Sequence, residues 1–157
     1  MSSQFDLSII IPAYNEAERI GESIEALDDF LTSRDYGPVE VLIISQDPHT
    51  HRMASLACRK LKHARSIELH ERAGKGAAVR VGMYEAVGRY KLFMDADLAT
   101  PLQHLDDVYE FITRGGDIAI AVRDINQTHK GMRKFISEFG NISVRILLTP
   151  GIQDTQC

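Results

Sequence analysis

The sequence predicts an α/β fold, a mostly parallel sheet with helices on both faces. Three observations carry that expectation. Short runs of β-branched and other apolar residues alternate along the chain with segments whose apolar residues recur every three or four positions. Gly and Pro punctuate the junctions, as at Gly37-Pro38 and Gly115-Gly116. With 44% hydrophobic and 25% charged residues among 157, the chain has the composition of an ordinary globular domain, so a single domain over residues 1–157 is expected.

Leu7 to Ile11 is a continuous apolar run stopped by Pro12, the mark of a strand buried on both faces. Glu16 to Leu31 then sets Ile20, Ile24, Leu27 and Leu31 on one stripe, which predicts a helix. Val39 to Ile44 repeats the buried-strand pattern, a polar loop follows from Ser45 to Thr50, and a second helix carries Met53, Leu56, Ala57 and Leu61. Ser66 to Leu69 reads as a shorter strand, and Arg72 to Gly76 as a basic, Gly-containing loop. The helix after it places Val79, Met83, Ala86 and Val87 on one side. Tyr90 to Met94 is the fourth strand. Pro101 opens a helix with Leu105, Val108, Tyr109 and Ile112, and Asp117 to Val122 predicts a fifth strand. From about Met132 a last helix aligns Phe135, Phe139, Ile142 and Ile146.

Charge excludes one class of partner. Eighteen basic against 22 acidic residues give a net charge of −4, which argues against a nucleic-acid binder working through a broad basic face. Cys58 and Cys157 supply neither a disulfide framework nor a metal-ligand spacing, so a reducing compartment is expected. No run approaches the roughly 20 apolar residues of a transmembrane helix, and no signal-peptide pattern opens the chain, so a cytoplasmic protein is expected.

In a parallel sheet covered on both faces, ligands bind at the carboxyl ends of the strands, so the residues that follow strands carry the chemistry. After the fourth strand stands Asp95-Ala96-Asp97. Two carboxylates at this spacing suit a hard divalent cation, Mg2+ or Mn2+, beside a substrate phosphate; the competing reading is a strand-end turn with one Asp capping the next helix. Gly74-Lys75-Gly76 lacks the Walker pattern, yet two glycines admit backbone N–H groups to an anion and Lys75 adds charge near a helix start; an ordinary flexible loop is the alternative.

Together with the S-I-I-I-P-A-Y-N-E segment from Ser8 to Glu16, these motifs resemble the family-2 glycosyltransferases of the GT-A fold. The nearest branch is the polyprenyl-phosphate one, the dolichyl-phosphate glucosyltransferases and their mannosyltransferase relatives. The G-K-G-A-A-V-R helix start, the F-M-D-A-D-L-A-T-P segment and the closing Asp154-Thr155-Gln156-Cys157 lie in the order that branch shows. Family members continue beyond such a closing segment, so the chain is expected to be an N-terminal portion.

The resemblance implies a nucleotide-sugar site formed by Pro12, Ala13, Tyr14, Glu16, Asp47, Lys75, Asp95, Ala96 and Asp97, with the metal on Asp95 and Asp97. Tyr14 offers a flat face and Glu16 an acceptor for sugar hydroxyls, although capping by Asn15 with Glu16 in a first helical turn explains the same residues. Asp97, Arg123 and Arg133 are the implied catalytic residues, the two arginines holding phosphate through guanidinium forks. One departure concerns the second strand, which in the family ends in an Asp-Asp-Gly-Ser-like turn and here runs Ser45-Gln46-Asp47-Pro48. Asp47 substitutes with a one-residue shift, or Gln46 reads a base edge, or the segment is a surface turn.

The implied reaction is inverting transfer of a hexose from a nucleotide sugar, UDP-glucose by preference, to a polyprenyl or dolichyl phosphate. Peripheral contact with the cytoplasmic membrane face and a homodimer through the Phe135, Phe139 and Ile146 stripe are further expectations. The alternatives are a family-2 transferase acting on a saccharide or protein hydroxyl, and a nucleotide-binding module without catalysis.

Overall fold

A computed structural model describes residues 5–120. The chain divides into two compact units, Met1–Arg114 and Gly115–Cys157, and the elements below belong to the first. They alternate as the sequence predicts: β1 (Leu7–Ala13), α1 (Ile20–Thr32), β2 (Val39–Ser45), α2 (Pro48–Cys58), β3 (Ala64–Glu68), α3 (Lys75–Glu85), β4 (Tyr90–Phe93) and α4 (His104–Thr113). The strands form one parallel sheet in the order β3-β2-β1-β4.

β1 lies inside the sheet, with Ile10 opposite Leu42 of β2 on one side and opposite Phe93 of β4 on the other. All seven of its residues are buried, which explains why it reads as a continuous apolar run. Alternation assigns its side chains to two cores. Ile9, Ile11 and Ile43 pack with Ile20, Ile24 and Leu27 of α1, Ala54 and Ala57 of α2 and Leu105 of α4. Ile10, Leu42 and Ile44 pack on the opposite face with Ala78 and Ala86.

Helix α3 approaches that second face closely because its contact positions are small. A Cβ on Gly82 would stand 2.3 Å from Ile10 Cγ2 and 3.2 Å from Ile44 Cγ1. The apolar stripe expected from Val79, Met83, Ala86 and Val87 is met in part: Ala86 is buried and Met83 packs against this core, but the buried residues within the helix are Ala78 and Gly82, and Val87 is 55% exposed.

Other boundaries differ for local reasons. Helix α1 begins at Ile20 rather than Glu16, because Asn15 adopts φ 58° and the Glu16 carbonyl accepts the N–H groups of Arg19 and Ile20 in a turn. The loop expected from Ser45 to Thr50 shrinks to Gln46 and Asp47. Asp47 caps α2 by accepting the Thr50 N–H, and Pro48 occupies the first turn, where a missing N–H costs nothing. Leu56, expected on the stripe of α2, is 45% exposed, and Leu61 lies beyond the helix end. Helix α4 starts at His104 after a turn in which the His104 N–H meets the Pro101 carbonyl. The strand expected from Asp117 to Val122 is absent over 117–120, and Ala121 and Val122 fall outside the described residues. So does the helix expected from Met132, with Phe135, Phe139, Ile142 and Ile146.

Two polar clusters join distant segments. The buried Glu40 carboxylate accepts the Ser8 hydroxyl at 2.5 Å and the Val87 and Gly88 N–H groups at 2.6 and 3.2 Å, which ties the loop after α3 to β1 and β2. Asp106 of α4 accepts the Tyr36 hydroxyl and Arg34 Nε; these bonds hold its carboxyl below the usual range, while burial, followed by the Asp106 bond, raises the Tyr36 phenol.

Candidate active site

The carboxyl ends of β1, β2 and β4 and the N-terminus of α3 surround a cleft of about 300 Å³. Each wall has a local cause. Past Ala13 the chain leaves the sheet, Tyr14 becomes 42% exposed, and Asn15 takes the left-handed conformation that Asn tolerates better than most side chains. The turn is fixed from β2: Asp47 accepts the Asn15 N–H through Oδ2 and the Thr50 N–H through Oδ1, each at 2.8 Å. Burial pushes the Asp47 carboxyl up, and the backbone bonds from Thr50 and Asn15 outweigh it and leave the pKa lowered. Thr50 completes the link, its Oγ1 accepting the Glu16 N–H at 3.0 Å.

The opposite wall is the start of α3. Gly74, at φ 83°, turns the chain into the helix, and the Gly74 carbonyl accepts the N–H groups of Ala77 and Ala78. Lys75, at the first turn, extends its Nζ to within 2.5 Å of Asp95 Oδ1, across from the end of β4. Both groups are about half exposed, so the pair stabilises the fold by at most ~1 kcal/mol. Its significance is positional, since it holds a cation against a carboxylate inside the cleft.

After β4, Ala96 is buried while the two flanking aspartates stay exposed. Asp97 Oδ1 accepts the Ala99 N–H at 3.0 Å, a side-chain turn closed over Leu98, which is held at φ 52°. Among the described residues the second oxygens of Asp95 and Asp97 have no protein partner, and no group of three or more His, Cys, Asp or Glu side chains gathers to hold a metal. Two hard carboxylate donors in one open cleft nevertheless suit Mg2+ or Mn2+, which commonly takes one or two protein carboxylates and completes its shell with water or substrate oxygens. The residues present fit such an ion.

Of the residues singled out in the sequence, Pro12, Ala13, Tyr14, Glu16, Lys75, Asp95, Ala96 and Asp97 line this one cleft. Asp47 is adjacent but not in the lining, both its oxygens being bound to backbone. Arg123 and Arg133 lie outside the described residues. Gln46, Arg72 and Gly74 also line the cleft. Arg72 is the residue that sequence reasoning passed over; its guanidinium stacks 4.1 Å above the Tyr14 ring. The only signal for it was its place at the head of the Gly-containing basic loop.

A parallel sheet of order β3-β2-β1-β4 with this cleft at its carboxyl end is the GT-A fold of glycosyltransferases. The chain belongs to glycosyl transferase family 2, whose model matches residues 8–154. It is 31% identical to a dolichyl-phosphate beta-glucosyltransferase of Drosophila melanogaster, covering 99% of this chain and 54% of that protein. It is 28% identical to an undecaprenyl-phosphate 4-deoxy-4-formamido-L-arabinose transferase of Pectobacterium carotovorum, covering 97% and 47%. The chain thus spans about half the length of these curated relatives. Two solved structures share the fold. Mannosyl-3-phosphoglycerate synthase from Rubrobacter xylanophilus has a TM-score of 0.68 at 17% identity, over 95% of this chain and 49% of that one. A mannosyltransferase from Pyrobaculum calidifontis, in complex with GDP-Man and Mn2+, has 0.58 at 20%, over 81% and 40%.

Proposed function

We propose that the chain is the nucleotide-sugar-binding and catalytic GT-A part of an inverting transferase that moves glucose from UDP-glucose to a polyprenyl phosphate. The observation that carries this reading is the convergence in one cleft of a flat aromatic face, a glycine-flanked helix start with Lys75, and the Asp95 and Asp97 carboxylates. The relatives named above act, by their names, on dolichyl and undecaprenyl phosphates, and the family is a transferase family.

In this reading Tyr14 and Pro12 flank the nucleoside, Glu16 accepts from a ribose hydroxyl, and the N–H groups around Gly74 to Gly76 approach the diphosphate. Asp95 and Asp97 hold a divalent cation, which supplies Lewis-acid neutralisation of the departing diphosphate when bound. Lys75 adds a second cation on the same side. The acceptor phosphate needs no general base from the protein: with a second pKa of about 6 it is largely dianionic at neutral pH and attacks the anomeric carbon directly. Attack opposite the departing diphosphate inverts the anomeric centre. Arg123 and Arg133 are the proposed fork donors to the acceptor phosphate. Such an acceptor resides in a bilayer, so the proposed location is peripheral, at the cytoplasmic membrane face. Among the described residues no helix is long and apolar enough to cross a membrane.

Two measurements test the reading. UDP-glucose binding by calorimetry should be tighter with Mn2+ than with EDTA, and Asp97→Ala should remove the difference while leaving the circular dichroism spectrum unchanged. Glycolipid should form from UDP-glucose and a short polyprenyl phosphate when the full reading frame is supplied. Transfer to a saccharide or peptide hydroxyl instead would refute the acceptor, and metal-independent binding would refute the role of Asp97.

A further inference from the structure

Helices α1 and α2 lie side by side over one face of the sheet and carry opposite charge on their outer sides. Their buried residues, Ile20, Ile24 and Leu27 of α1 and Ala54, Ala57 and Cys58 of α2, belong to one core. At about 100° per residue, Glu22, Glu25, Ala26 and Asp29 then point away from the sheet on α1, and Arg52, Leu56 and Arg59 do so on α2 and its C-cap. All seven are exposed. The contrast extends beyond the helix: from Pro48 to Ile67 five cations stand without one carboxylate, in a chain whose net charge is −4. One ion pair joins the two ridges, Lys60 at the end of α2 reaching Glu25 at 2.7 Å. Among the described residues Glu22, Asp29, Arg52 and Arg59 have no ion pair.

An acidic ridge beside a basic one is complementary to the same pair turned over. Helices α1 and α2 each connect two parallel strands on the same face, so both run from the carboxyl end of the sheet back towards its other end. A two-fold axis along the groove between them lays α1 of each copy on α2 of the other. Acid then meets base twice, which is the self-complementarity that a two-fold contact demands. Ala26 and Leu56, exposed within the ridges, place apolar surface inside the charged rim. An anionic bilayer fits this face less well, because it would repel the acidic ridge that stands beside the basic one.

We propose that the outer face of α1 and α2 is the contact surface of a two-fold dimer of this chain, held by the Glu22, Glu25 and Asp29 ridge of each copy against the Arg52 and Arg59 ridge of the other. The contact is ionic and exposed, so association is weak and falls as salt rises. It does not depend on what the cleft binds. Because the axis runs with the helices, both clefts open at the same end of the pair, as two transferases serving one membrane face require.

Sedimentation equilibrium of the full 157-residue chain, in about 50 and about 500 mM NaCl, tests this. A dimer should form at the lower salt and dissociate at the higher. Arg52→Glu with Arg59→Glu makes both ridges acidic and should weaken association roughly tenfold or more, because each substitution enters a two-fold contact twice. Adding Glu22→Lys and Asp29→Lys to that variant exchanges the signs of the two ridges at unchanged net charge and should restore the wild-type dimer. All four positions are exposed, so both variants should keep the wild-type circular dichroism spectrum. A chain that stays monomeric at low salt up to its solubility limit overturns the proposal, as does a dimer that the double reversal leaves intact or that the fourfold exchange fails to restore. Flotation with phosphatidylserine vesicles tests the other occupant: capture of monomeric wild type that is lost in Arg52→Glu with Arg59→Glu would assign the basic ridge to a bilayer and overturn the dimer.

Discussion

Lys75 and Asp95 meet across the cleft at 2.5 Å, joining the first turn of α3 to the end of β4. The ammonium thus occupies one oxygen of a carboxylate that the proposed function assigns to a divalent cation. Removing it should ease cation entry: Lys75→Met should tighten Mn2+ binding in the absence of nucleotide by about two- to fivefold, the size of an exposed ion pair. Nucleoside diphosphate affinity should fall in the same variant, because a phosphate-facing charge is lost. Mn2+ titration followed by electron paramagnetic resonance separates the two effects; unchanged or weaker metal binding would show that Lys75 does not compete for Asp95.

Asp47→Ala should lower the stability of the chain by about 1–2 kcal/mol, read as a shift of the urea midpoint. The helix α2 loses its cap and the Asn15 N–H loses its acceptor, so the Tyr14 turn should loosen and nucleotide binding should weaken along with stability. Asp47→Asn keeps an oxygen for one of the two donors and should lose less. Equal stability of the Ala variant and wild type would mean that water replaces both bonds without cost.

Acid should weaken the same tie. The folded-state pKa of Asp47 is lowered, so the carboxylate's contribution is complete above the ordinary carboxylate pKa and is lost as pH falls through the lowered value. Urea midpoints of wild type and Asp47→Asn, compared from pH 6 down to pH 2.5, should therefore converge towards the acid end. A constant gap across that range would assign the stabilisation to geometry alone.

Gly82→Ala should destabilise the chain despite the better helix propensity of alanine. The gain of about 1 kcal/mol from propensity is opposed by about 1–3 kcal/mol of overpacking where the new methyl meets Ile10 Cγ2. Pairing it with Ile10→Ala removes the obstructing atoms, so the double variant should be more stable than the sum of the single effects predicts. Additive losses would indicate that α3 simply shifts away from the sheet.

The order of elements and the end of the sheet that holds the cleft were legible in the sequence, because β1 and β2 are buried on both faces and α1 and α4 carry broad apolar stripes. The face of α3 was legible only in part. Met83 and Ala86 pack in the core as expected, but the closest approach is made at Ala78 and Gly82, whose smallness is invisible to a search for large apolar residues. The start of α1 was misplaced because the Asn15 conformation depends on Asp47, 32 residues away. The same separation hid the structural engagement of Asp47, although its capping role was readable from the Asp-Pro pair. Arg72 and the orientation of Gln46 depend on how the Arg72 to Gly74 loop folds back over the end of β2, which no local pattern encodes.

β1 supplies alternate side chains to two separate cores and its last residues to the cleft, so its register works as a reading frame. A slip of one position would exchange Ile9 and Ile11 with Ile10 and carry Tyr14 off the mouth of the cleft at the same stroke. Errors in this strand therefore cannot be local. The cleft residues Gln46, Arg72 and Gly74 stand outside the strands, so exchanging them leaves the parity of the sheet untouched.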